Sequence, residues 1–139
     1  MDPRPRIVFL CIGNACRSPI AQGWLRHLAG ERFEALSGGV HPIGVQPEAV
    51  EVMKERGVDI SDLQSRYIHT VLTPAPAALI ALSEEALANA PTIARATRVL
   101  RWPIPDPYTI RGDHDRRLAA FRATRDELHE RITEWLAAQ

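Results

Sequence analysis

A chain of 139 residues, 45% hydrophobic and 24% charged, has the length and apolar content of one globular domain with an ordinary core. Its 17 Lys plus Arg balance 17 Asp plus Glu, which excludes the broad basic field that nucleic acid or an anionic membrane surface selects, so any anion site is local. There is no apolar span of about 18 residues and no leader pattern at the N-terminus, and the reading is one cytoplasmic domain over residues 1–139.

Arg6–Cys11 is a short apolar run rich in β-branched and aromatic residues, and it predicts a strand. Gly13 and Asn14 mark a tight loop, after which Ser18-Pro19 opens a helical pattern through Ile20, Trp24, Leu25 and Leu28. Phe33–Ser37 predicts a second strand ending at Gly38-Gly39. Gln46-Pro47 then precedes a helix with Ala49, Val50 and Met53 on its apolar face and a stop at Gly57. Ser61–His69 reads as a short helix or turn, and Thr73–Pro76 as a local turn.

Ala77–Leu82 is continuously apolar, as in a strand covered on both faces, and Glu84–Ala90 reads as helix. Thr97–Leu100 gives a fourth strand, and Trp102–Pro107 an irregular Pro-rich loop. A last helix runs from about Asp113 with Leu118, Phe121, Leu128, Ile132, Trp135 and Leu136 on one side. The charges from Asp115, Arg116 and Arg117 to Arg131 are read as its wet face. Trp24 and Trp135 fall on apolar stripes, and Trp102 is placed to pack under the Pro-rich loop. Strands alternating with helices predict an α/β fold: a four-stranded parallel sheet with helices on both faces, whose ligands bind at the carboxyl ends of the strands. Cys11 stands at such an end.

The loop Cys11-Ile12-Gly13-Asn14-Ala15-Cys16-Arg17-Ser18 rises from a strand and enters a helix. Such a loop can turn successive backbone N–H groups inward and make a nest for a tetrahedral anion at the positive end of the helix dipole. Gly13 permits the backbone angles this requires, and Asn14 tolerates them. A thiol facing those donors and a guanidinium is stabilised as thiolate, so Cys11 is the expected nucleophile. Arg17 supplies a planar fork for two equatorial oxygens, and Ser18 is close enough to donate a hydrogen bond to the sulfur as it leaves. Protonating the leaving oxygen takes a carboxylic acid on the far side of the anion. Asp106, between Pro105 and Pro107, is the candidate, although several carboxylates follow it and spacing alone does not assign it; Tyr108 would give an aromatic wall for a flat substrate.

Val8–Ala21 together with Asp106-Pro107-Tyr108 resembles the low-molecular-weight protein tyrosine phosphatases and the arsenate reductases built on the same fold. Ser37–Gly39, Pro47–Val50 and Gly57–Ser61 resemble segments of the reductase branch, so the resemblance covers nearly the whole chain. It implies a three-layer phosphotyrosine phosphatase I-like fold. It also implies Cys11 as nucleophile, Arg17 as anion binder, Asp106 as general acid, and Asn14, Ser18 and Ser37 as a hydrogen-bond set that holds the loop. The thioredoxin-linked reductases of this family relay oxidation to two further cysteines after the third strand. The matching positions here are Ser83 and Ala90, and neither can form a disulfide. The acids of that branch's potassium site are matched by Gln22 and Arg66, so no metal and no cofactor is expected.

Cys11 and Cys16, five residues apart, suit neither a disulfide framework nor, without a second ligand pair, a metal site. Cys16 either packs as a small hydrophobe or acts as a resolving thiol for Cys11. His27, His41, His69, His114 and His129 show no metal spacing and read as surface or capping groups, with His41 bordering the pocket beside Tyr108. The main reading is a phosphomonoesterase acting on a phosphotyrosine protein or another phosphoester. The alternative is an arsenate reductase that finishes its reaction through Cys16 or an external reductant, a small-molecule thiol with a glutaredoxin-like partner. A non-catalytic anion-binding module has no need of both the thiol and the acid. The shared ligand is a phosphate or arsenate oxyanion.

Overall fold

The computed structural model describes residues 3–90 and 98–139. In chain order it contains β1 (Arg6–Cys11), α1 (Arg17–Ala29), β2 (Glu34–Gly39), α2 (Pro47–Lys54), a 3-10 turn (Ile68–Val71), β3 (Ala78–Ala81), α3 (Glu84–Ala88), β4 (Val99–Arg101), a second 3-10 turn (Pro107–Thr109) and α4 (His114–Ala137). The four strands form one parallel sheet in the order β2-β1-β3-β4.

Because successive strand side chains face opposite sides, β1 feeds two cores. Ile7, Phe9 and Cys11 join Trp24 and Leu25 of α1, Val52 and Met53 of α2, and Phe121, Leu128 and Ile132 of α4. Val8 and Leu10 face the other way, with Ala86 of α3, Ile68 and Val71. The expected three layers are therefore present, with α1, α2 and α4 on one face and α3 on the other. The chain steps from β1 to β2 on one side and then to β3 on the other, so the order reverses at β1, where a crevice opens at the carboxyl ends of the strands. No described helix is long and apolar enough to cross a membrane.

Several elements shift from their expected bounds. β2 runs on through Gly38 and Gly39, since both still pair with β1. α2 buries Ala49, Val52 and Met53, leaving Val50 only partly covered, because the 49/52/53 stripe is the one that meets α4 and α1. The helix stops at Lys54, and the turn beyond closes at Gly57, whose φ is +75°. α3 is shorter than expected and is capped by Ser83, whose Oγ accepts from the Ala86 amide at 3.1 Å. β4 spans Val99–Arg101, and the expected strand start at Thr97 lies outside the described residues.

The charged stripe of α4 is not uniformly wet. Arg125 is 2% exposed, donating to the Val52 carbonyl at 3.0 Å and to Glu55 at 2.7 Å, and Arg117 is drawn down onto Glu48 at 3.0 Å. Both side chains close the seam between α2 and α4, a long-range need that helical periodicity does not report.

Candidate active site

Residues 12–16 join β1 to α1, and their carbonyls are held from outside. The carbonyl of Ile12 accepts from the His41 amide at 2.8 Å, that of Gly13 from Ile43 at 3.1 Å, and that of Ala15 from Gln46 at 2.9 Å. The Asn14 carbonyl accepts from Ser65 Oγ at 2.6 Å, and the Cys16 carbonyl from the Ile20 amide at 3.1 Å inside α1. These are trans peptides, in which C=O and N–H point opposite ways, so each outward carbonyl turns the next amide inward. The amides of residues 13–17 thus converge on the concave side of the loop, at the N-terminus of α1, an arrangement suited to a tetrahedral anion.

The conformational demand falls on Asn14 and not on Gly13. Asn14 has a φ of +46°, whereas Gly13 is outside the left-handed region. The demand at Gly13 is one of space, since a Cβ there would lie 3.1 Å from the Ile43 side chain, which would have to give way. Gly39 serves in the same way on the inner side, where a Cβ would come within 2.7 Å of the Ile12 carbonyl. The side chain of Asn14 holds its own strained backbone. Its Nδ2 donates to Ser18 Oγ at 2.8 Å and Ser37 Oγ at 3.0 Å, while its Oδ1 accepts from the Arg66 amide at 2.8 Å. Ser37 in turn donates to Gln22 Oε1 at 2.5 Å, and Gln22 Nε2 donates to the Ala35 carbonyl at 3.1 Å.

The expected set of Asn14, Ser18 and Ser37 is therefore brought together. It extends to Gln22, Ser65 and the Arg66 backbone, which sequence reasoning did not place there. Gln22 carried a signal as a polar residue within the apolar stretch from Pro19 to Leu25 of α1; Ser65 carried none.

Cys11 is 2% exposed, and its Sγ lies 2.8 Å from Ser18 Oγ. Arg17, also buried, donates through Nη1 to the Ile104 carbonyl at 2.9 Å, and its Nη2 stands 3.5 Å from Asp106 Oδ2. Trp102 and Ile104 continue the sheet ladder, donating to the Ala81 and Leu82 carbonyls, which carries the Pro-rich loop to the mouth of the crevice. There Asp106 Oδ1 accepts from the Tyr108 amide at 3.0 Å and caps the Pro107–Thr109 turn. One oxygen of the carboxylate thus caps the turn while the other faces Arg17. Trp102 rests on the core 6.4 Å from the Phe9 ring.

A cavity of about 180 Å³ is lined by Cys11, Ile12, Gly13, Ala15, Cys16 and Arg17, with His41, Ile43, Asp106 and Tyr108 around its mouth. Ile43, half exposed and apolar, was not foreseen in the sequence; it lines the same cavity, with its amide donating to the Gly13 carbonyl.

The Cys16 side chain packs in the core at 2% exposure. Burial pushes its thiol well above the ordinary cysteine range, and the nearby Asp106 carboxylate pushes it further, so it is protonated at neutral pH. Ser83 is a helix cap and Ala90 a buried methyl of the second core, so the two relay positions serve packing. Among the described residues no group of three His, Cys, Asp or Glu could hold a metal ion. His129 lies edge-on to Trp24 with ring centroids 4.5 Å apart, and His114 sits 3.7 Å from Glu51.

The family model for low molecular weight phosphotyrosine protein phosphatase matches residues 6–139. The arsenate reductase of Halalkalibacterium halodurans is 36% identical over 126 residues, covering 91% of each chain. That of Bacillus subtilis is 33% identical over 129 residues, covering 93% of each. Among solved structures, an arsenate reductase in its phosphate binding state has a TM-score of 0.80 at 27% identity, over 96% of this chain and 98% of that one. A low molecular weight protein tyrosine phosphatase from T. tengcongensis has a TM-score of 0.80 at 25% identity, over 97% and 99%.

Proposed function

This chain belongs to the low molecular weight phosphotyrosine protein phosphatase family, and from that premise we propose that it is a cysteine-dependent phosphomonoesterase acting on aryl phosphates such as phosphotyrosine. One observation carries the reading: Cys11, Arg17 and Asp106, from three separate parts of the chain, meet around one small cavity whose floor is a ring of inward amides.

The phosphoryl group would enter the nest with its three non-bridging oxygens on the amides of residues 13–17 and on the Arg17 fork. The Cys11 thiolate attacks phosphorus, the S–P bond forms as the ester P–O bond breaks, and Asp106 gives its proton to the leaving oxygen. Asp106, now a carboxylate, takes a proton from water. That water attacks phosphorus, the S–P bond breaks, and the thiolate is regenerated with Ser18 donating to it. Phosphate is released. Ile43 and Tyr108 would flank the ring of an aryl ester.

A second reading is favoured by the arsenate reductases among the relatives. The same thiolate would displace one oxygen of arsenate as water. An external thiol then attacks the Cys11 sulfur, two electrons pass to arsenic, arsenite leaves, and a second thiol resolves the mixed disulfide. The buried, protonated Cys16 is a poor candidate for the attacking thiol, which points to a small-molecule thiol or a glutaredoxin-like protein.

Aryl phosphate hydrolysis and thiol-dependent arsenate reduction, measured side by side for wild type, Cys11→Ser and Cys16→Ser, decide between them. Hydrolysis lost in Cys11→Ser and kept in Cys16→Ser supports the phosphatase. Reduction without hydrolysis in the wild type overturns it. Reduction lost in Cys16→Ser would return that thiol to the mechanism.

A further inference from the structure

The loop that carries Asp106 has little burial to hold it: from Pro105 to Ile110 only Pro107 is buried. Its internal bonds close a single turn, with Thr109 Oγ1 donating to the Asp106 carbonyl at 2.9 Å and the Ile110 amide to Pro107 at 3.2 Å. Those bonds keep the turn's shape but do not fix where it stands over the nest. On the near side the fixing contact is the Ile104 carbonyl on Arg17.

On the far side it is Arg117, near the start of α4. Its Nη1 donates to the Ile110 carbonyl at 2.7 Å and reaches the Tyr108 carbonyl at 3.4 Å, while its Nε donates to Glu48 Oε2 at 3.0 Å. The guanidinium carbon lies 5.9 Å from the Tyr108 ring centroid and 5.8 Å from that of Phe121. Burial tends to raise the Glu48 carboxyl, but hydrogen bonds from its own backbone and from Arg117 outweigh it and hold the group below the ordinary range, so the pair is ionic at neutral pH. One planar group thereby joins the acid loop, α2 and α4, which a lysine's point charge could not do.

We propose that Arg117 is a positioning residue for the general acid: by holding the Tyr108 and Ile110 carbonyls against Glu48, it sets Asp106 at the distance needed to protonate the leaving oxygen. The inference rests on the phosphatase reading and on Asp106 as the acid within it. Arg117 does not line the cavity.

The test is the dependence of kcat/KM on leaving-group basicity, with p-nitrophenyl and phenyl phosphate as the two ends of a series, for wild type, Arg117→Met, Arg117→Lys, Glu48→Gln and Asp106→Asn. General acids contribute about 10²–10⁴-fold, and a displaced one forfeits part of this, most where the leaving group is most basic. Arg117→Met is expected to lose roughly tenfold or more on phenyl phosphate and distinctly less on p-nitrophenyl phosphate, with Arg117→Lys and Glu48→Gln between it and wild type. Alkylation of Cys11 by iodoacetamide and inhibition by inorganic phosphate should stay at wild-type values.

A loss equal across the series, or one accompanied by slower alkylation, would reduce Arg117 to a structural contact and overturn the inference. Glu48→Gln keeps an acceptor for Arg117 and serves as the folded variant if Arg117→Met does not accumulate. If Asp106→Asn steepens the dependence and the Arg117 and Glu48 variants do not, only the inference falls. If Asp106→Asn changes nothing, or the wild type hydrolyses no aryl phosphate, the underlying reading falls with it.

Discussion

Arg17 Nη2 stands 3.5 Å from Asp106 Oδ2, so the cation of the anion nest and the carboxylate of the acid loop face each other across the cavity mouth. The other arm of the guanidinium is fixed on the Ile104 carbonyl, so both arms of the group are engaged by the chain around residues 104–106. A bound phosphoryl group would supply the charge that Asp106 now offers, freeing Asp106 to carry the proton it gives to the leaving oxygen.

Arg17→Lys should therefore lower kcat/KM for aryl phosphates by about 10²–10³, since it keeps the charge but loses the bidentate fork, as when one oxyanion donor is removed elsewhere. Steady-state kinetics and phosphate inhibition measured together check this: a loss confined to KM would show that the fork serves ground-state binding alone.

Ser18→Ala removes the hydroxyl 2.8 Å from the Cys11 sulfur. Slower iodoacetamide alkylation of Cys11 at pH 7 is expected, together with accumulation of the thiophosphate intermediate in rapid-quench experiments, because the leaving thiolate has lost a donor. Unchanged alkylation in a folded variant would remove Ser18 from the sulfur's environment.

Asn14→Ala should destabilise the fold by about 2–4 kcal/mol in urea titrations, as it forces alanine into a φ of +46° and strips partners from buried Ser18 and Ser37. Gly13→Ala should cost less, because its Cβ meets only a movable Ile43 side chain.

Glu55 contributes to the acid limb of stability. Hydrogen bonding from Arg122, with Arg125 adding to it against the cost of burial, brings its carboxyl from 4.5 down to about 2. Its folded value lies below its unfolded one, so its contribution is complete above about pH 4.5 and fades as the pH falls toward 2. The gap in urea midpoint between wild type and Glu55→Gln should accordingly be full at pH 6 and close on acidification; a gap independent of pH would show that the carboxylate's charge is not what stabilises.

The parts of this molecule legible in its sequence are those set by local pattern. The strand ending in Cys11, the loop into α1 and the alternation of strands with helices depend on neighbours along the chain, and the sheet formed as that pattern implies. What sequence hid was decided at long range. Ala49, Val50 and Met53 fit a helical face as well as Ala49, Val52 and Met53 do, and only contact with α4 selects the second. Arg117 and Arg125 read as solvated because charge usually is, yet the α2–α4 seam needs donors there. Glycine was the natural bearer of an unusual φ, but Asn14 carries it because its side chain has hydrogen-bond partners that arrive from 37 and 66.

The same outward carbonyls that aim the loop's amides have a kinetic side. Their donors come from residues 41, 43, 46 and 65, so the peptide from Cys11 to Arg17 cannot take its working shape alone and must wait for the chain on either side of α2 to dock. Oxyanion affinity is then a reporter of complete assembly: inorganic phosphate would bind only the finished molecule, and would raise its melting temperature by mass action.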